Sequence, residues 1–144
     1  MPQPNGLYQT DEEVEEVVRR FESCELPPAD FNHREHLLVA LCYLLRMGDA
    51  EALSHMRARI GSYAAAHGVN PSLYHETITA FWLRRVRAYL GCAGAGCGLA
   101  EMTNALAAEC GSSRLVFDYY SRELFDSEAA RREWVEPDLR PLDF

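Results

Sequence analysis

The sequence predicts an all-α fold, a single-domain bundle of about six to seven helices joined by up-and-down connections. Three observations predict it. Apolar residues recur three and four positions apart from residue 11 onward, capping residues and early acids open several of these stretches, and glycine or proline marks most of the boundaries between them. No segment reads as a convincing strand, and no internal repeat is visible.

The elements follow in order. Thr10 caps the first helix, about Asp11 to Cys24. Asp11, Glu12 and Glu13 meet the positive end of its dipole, and Val14, Val17, Val18 and Phe21 form its apolar stripe. Pro27-Pro28 ends it. Asn32 caps the second helix, with Glu35 completing a capping box and Phe31 placed as a hydrophobic staple; Gly48 stops it. The third runs from about Ala50 to Ala66, with His67-Gly68 at its end, and Asn70-Pro71 opens the fourth, which lasts to about Leu90. Gly91 to Gly98, GCAGAGCG, is a linker, since no strand precedes it to make a phosphate loop. The fifth helix covers about Leu99 to Cys110, the sixth Ser113 to Leu124 and the seventh Ser127 to Val135. Residues 1–9 are expected as a flexible N-terminus. Residues 136–144 are expected as an extended tail, with Leu139 and Leu142 laid on the bundle.

Composition narrows the function. The 144 residues, 48% of them hydrophobic, suffice for one core. A net charge of −8, with arginines scattered among acids, argues against binding a nucleic-acid backbone. No apolar run approaches the roughly 20 residues of a membrane span, and no leader pattern opens the sequence, so a soluble cytoplasmic protein is expected. Cys24, Cys42, Cys92, Cys97 and Cys110 are odd in number and lack CxxC spacing, which argues against a disulfide framework or zinc ribbon. Helix 1 or helix 7 could present an apolar stripe for a homodimer, though nothing in the sequence demands one.

The chemistry concentrates in histidines. At 3.6 residues per turn, His33, His36, Leu37, Ala40, Leu44 and Met47 share one side of the second helix. The same count on the fourth aligns His75, Ile78, Thr79, Trp82, Val86 and Tyr89. Alternating helix directions would gather His33, His36, His75 and Arg114 at one end, with Glu22, Glu25, His67 or Cys110 brought near from the ends of the odd-numbered helices. His55, in mid-helix among basic residues, is expected to be exposed.

Three neutral imidazoles can hold a divalent metal such as Zn, Fe or Ni while leaving a position open for water or substrate, with Glu76 as base. The leading expectation is therefore a small metal-dependent enzyme acting on a small organic substrate, with His33, His36 and His75 as ligands and Glu76 and Tyr120 as catalytic groups. Two alternatives stand beside it. One is metal-free acid–base work by His36 or His75 with Glu76 or Tyr120, Arg114 binding an anionic substrate group. The other is a non-catalytic small-molecule-binding or protein-interaction module in which Trp82, Tyr120 and Trp134 line an apolar pocket. A single inward histidine is more often a hydrogen-bonded structural group than a ligand, and HxxH is a far weaker signal than HExxH.

The strings HREHLLVALCYL, YHETITAFW and FDYYSRELFDSEAARREWVEPDLRPL resemble a family of small bacterial all-helical proteins to which no reaction is attached. The likeness spans about Phe31 to Leu142 and implies helical architecture. It would make His33, His36, Tyr74, His75, Glu76, Thr77, Tyr120, Ser121, Arg131 and Asp138 the polar motif residues. Tyr74 thereby joins Trp82 and Arg114 as a candidate substrate contact. A looser likeness is to helical-bundle enzymes that hold a metal with three histidines, whose HxxxH spacing is absent here.

Overall fold

An unbroken apolar run from Leu37 to Leu44 leaves a helix no face for solvent, and every residue of that run is buried. The helix that carries it, α2 (His33–Arg46), is the central post of the molecule. It is packed by α1 (Asp11–Glu22), α3 (Asp49–Ala66), α4 (Glu76–Cys92) and α5 (Leu99–Glu109). The computed structural model describes residues 7–92 and 97–144. Among these, two short helices, α6 (Arg122–Phe125) and α7 (Glu128–Arg132), and 3-10 helices at Pro28–Asp30, Pro71–Leu73 and Ser113–Asp118 complete an all-helical fold. None of the described helices is long and apolar enough to cross a membrane.

The first two helices start where their caps place them. Thr10 Oγ1 accepts from the Glu13 amide while Glu13 Oε1 accepts from the Thr10 amide, a closed capping box. At α2, Glu35 Oε1 accepts from the Asn32 amide at 3.0 Å. The end of α1 comes earlier than its prolines require. Cys24 adopts φ 65°, and the Glu25 and Cys24 amides return to the Arg20 and Phe21 carbonyls, closing the helix before Pro27 is reached.

Three expectations change. The N-terminal segment is tied down at Tyr8, whose side chain is buried and whose amide and carbonyl both bond Asn104, at 2.9 and 2.8 Å; the rest of the expected flexible segment, residues 1–6, lies outside the described residues, as do residues 93–96 of the glycine-rich linker. The fourth helix starts later than expected. Pro71–Leu73 forms a 3-10 turn capped by Asn70, and α4 begins only at Glu76, with His75 just ahead of it. The expected sixth helix is broken, because Asp138 takes the Ser121 amide at 2.8 Å and the Ser121 hydroxyl at 2.6 Å, drawing that amide away from a helical carbonyl. Ser121 instead caps α6, and Ser127 caps α7.

The segment after α5 builds a second core on the far side of α4. Phe81, Val116, Tyr119 and Tyr120 form its buried centre, with Trp134, Val135, Leu142 and Phe144 packed around them. Its fastenings to α4 are polar. Thr77 Oγ1 donates to the Glu133 carbonyl at 2.7 Å and accepts from the Val135 amide at 3.3 Å, which ends α7 short of the expected Val135. In the tail, Leu142 packs as expected, while Leu139 is 56% exposed.

Candidate functional site

The opening turns of α2 and α4 lie side by side, as the alternation of helix directions predicts. Between them, with one wall from α3, is a cavity of about 480 Å³, within the usual size range of small-ligand pockets. His33, His36 and His75 all line it, together with Phe31, Tyr74 and Trp82. Of these six, periodicity identifies His33, His36, His75 and Trp82, and it adds Thr79; Phe31 is expected as a helix staple and Tyr74 through the resemblance. Periodicity also gives Ala40 and Ile78 but misses Met56 and Ile60 from α3, Leu73 from the 3-10 turn and Leu83, which supply the rest of the apolar wall. The i, i+4 spacing of Met56 and Ile60 was the available signal.

Each imidazole is set by an aromatic ring and a backbone carbonyl. His36 stacks on Phe31 with centroids 3.9 Å apart, His33 meets Trp82 edge-on at 4.6 Å, and His75 stacks on Phe125 at 4.3 Å. A carbonyl oxygen can only accept, so the nitrogen facing it carries the proton. His33 Nε2–H donates to the Cys110 carbonyl at 2.8 Å, and His36 Nδ1–H donates to the Asn32 carbonyl at 2.8 Å. The chain presents the Cys110 carbonyl by turning at Gly111, where a Cβ would fall 2.6 Å from the Ala107 carbonyl oxygen. These bonds leave lone pairs on His33 Nδ1 and His36 Nε2.

His75 is different. Its Nδ1 accepts from the Ile78 amide at 3.1 Å, serving as the cap of α4, and its Nε2–H donates to the Phe125 carbonyl at 2.7 Å. Both ring nitrogens are committed, so His75 has no lone pair for an ion. Among the described residues no group of three or more His, Cys, Asp or Glu side chains is placed to hold a metal. The donor set thus falls short of the three-imidazole centre expected for Zn, Fe or Ni. Burial lowers the affinity of His36 and of His75 for a second proton, and both sit below the ordinary histidine value. Among the described residues no Asp, Glu, Lys or Arg lines the cavity.

The other expected catalytic groups point elsewhere. Glu76 is one residue beyond His75 and faces a separate depression shared with Arg57, Tyr74 and Arg131. Arg57 grips it through two bonds, at 3.0 and 2.5 Å, and the Tyr74 hydroxyl adds a third at 2.7 Å. Burial opposes the charge on Glu76, but these bonds outweigh it and hold the carboxyl below its ordinary value, which makes it a poor base. Tyr120 is fully buried in the second core, donates to the Val135 carbonyl at 2.6 Å, and has its pKa pushed up to about 12 by burial. Arg114 is exposed and outside the cavity, where only its neighbour Ser113 contributes. Trp134 stacks under Arg84, 3.9 Å from the guanidinium carbon, away from the histidines. Cys110 reaches the site by its carbonyl alone; Glu22 bonds the Tyr43 hydroxyl, and His67 faces the Cys24 carbonyl. His55, expected to be exposed, is half-buried against Tyr43, with Nε2 3.4 Å from Glu22.

Comparison with protein-family models, with curated proteins and with solved structures finds no match. The polar motif residues nevertheless sort by position. His75, Thr77, Tyr120, Ser121 and Asp138 fasten the C-terminal segment, whereas His33 and His36 alone of the set keep a ring nitrogen unspent in the cavity.

Proposed function

We propose that the chain binds a small, largely apolar organic molecule in the cavity between α2, α3 and α4. The carrying observation is a cavity of about 480 Å³ whose described lining has no charged side chain, walled by Phe31, Trp82 and aliphatic side chains, with two imidazole lone pairs among its few unspent polar groups. That composition, apolar walls with a few oriented polar atoms, is what a small-molecule site requires. The binding-module reading of the sequence is therefore preferred to the metal-dependent enzyme. Neither Glu76 nor Tyr120 is available as partner to the histidines, and His75 is a cap rather than a ligand or base.

Fluorescence of Trp82 tests the proposal in a Trp134→Phe background, where it is the remaining tryptophan. Titration with 4-ethylphenol is expected to give a saturable change, and filling the cavity by Ile78→Trp or Thr79→Phe should abolish binding measured by calorimetry. Metal analysis of tag-free protein supplies the opposing outcome. One equivalent of zinc, iron or nickel, lost on His36→Ala, would replace this reading with the metal-dependent one.

A further inference from the structure

The hydrogen-bond polarity of the cavity restricts what it can hold. Tyr74 Oη–H is spent on Glu76, Thr79 Oγ1–H on the His75 carbonyl at 2.9 Å, and His75 Nε2–H on Phe125. The imidazole protons of His33 and His36 are spent on carbonyls as well. The side-chain donors that remain are the Trp82 indole N–H, on a half-buried residue, and one amide hydrogen of Asn32 and the Ser113 hydroxyl, both on exposed residues. On the half-buried wall the two imidazole acceptors outnumber the single indole donor. An acceptor left without a donor when a ligand displaces water costs free energy, and an anion placed against the two imidazole lone pairs would leave both unpaired.

We infer that the cavity selects neutral aromatic molecules carrying an O–H or N–H donor, the phenol class, with His33 Nδ1 and His36 Nε2 as the receiving atoms. The inference rests on the cavity being a binding site. Phe31 and Trp82 supply flat walls beside the two acceptors, so a planar ring with a hydroxyl or ring N–H at its edge matches both the shape and the polarity. A carboxylate of the same size has the wrong sign, and a methyl ether of the same size has no proton to give.

Three ligands of one shape separate the possibilities by calorimetry: 4-ethylphenol, its methyl ether 4-ethylanisole, and 4-ethylbenzoate. The phenol is expected to bind roughly tenfold more tightly than the ether, the worth of one good hydrogen bond, with the benzoate weakest. His36→Phe retains a ring for the stack on Phe31, and the His36 amide still satisfies the Asn32 carbonyl at 3.0 Å. That variant and His33→Phe should each narrow the gap between phenol and ether. Equal binding of phenol and ether by the parent overturns the donor inference and leaves the binding reading standing. Tightest binding by the benzoate also overturns it. Saturable binding by none of the three overturns the binding reading itself.

Discussion

Phe81→Ala is expected to lower stability by about 3–5 kcal/mol, a large share of a small domain's margin. Phe81 is completely buried and joins the two sides of the molecule, with ring centroids 5.1 Å from Trp82, 5.7 Å from Tyr119 and 5.4 Å from Phe144. Its loss would open a void between α4 and the C-terminal segment. Trp82 is the informative neighbour. Periodicity puts it on the inward stripe of the fourth helix, but it is half-buried at the cavity wall, so Trp82→Ala should cost only about 1–2 kcal/mol. Urea titrations of the two variants check the order. A larger loss for Trp82 would mean that the face of α4 is assigned wrongly.

The second large effect belongs to His75. Removing its ring in His75→Ala leaves the Ile78 amide and the Phe125 carbonyl without their partner, an expected loss of about 2–3 kcal/mol. The pH dependence should change with it. His36 and His75 are held below the ordinary value of 6.5 in the folded chain, so the unfolded chain binds more protons in that window. Stability is therefore full above about pH 6.5 and declines as the pH falls through the lowered folded values. Glu22 and Glu76, also held low, add a loss of the same sign below their ordinary value of 4.5. Denaturation curves across that range should show a shallower first decline for His75→Ala than for the parent. An identical slope would mean that His75 is protonated alike in both states.

Much of the fold is legible because helix starts are local chemistry. The Thr10–Glu13 box, the Asn32–Glu35 pair and the stop at Gly48 each involve residues within a few positions of one another, and each falls where the spacing places it. That His33, His36 and His75 line one cavity is consistent with those starts and with alternating directions. The C-terminal third is less legible because long-range bonds fix it. Ser121 is held by Asp138 seventeen residues on, and Thr77 takes Glu133 and Val135 across fifty-six and fifty-eight. The role of Glu76 turns on a single step. Beginning α4 at Glu76 rather than near Pro71 makes His75 a cap and swings the next carboxylate toward Arg57, whose part no local pattern announces.

Ring-nitrogen resonances test the central claim, that the imidazoles of this cavity act as neutral acceptors and a cap rather than as a metal centre. A long-range proton–nitrogen spectrum at about pH 7.5, where free imidazole is neutral, is expected to show His33 and His75 protonated at Nε2 and His36 at Nδ1, with the His75 signals unmoved by one equivalent of zinc. A His75 ring lacking its Nε2 proton, or His33, His36 and His75 shifting together as zinc is added, would contradict the account and restore the three-imidazole metal site.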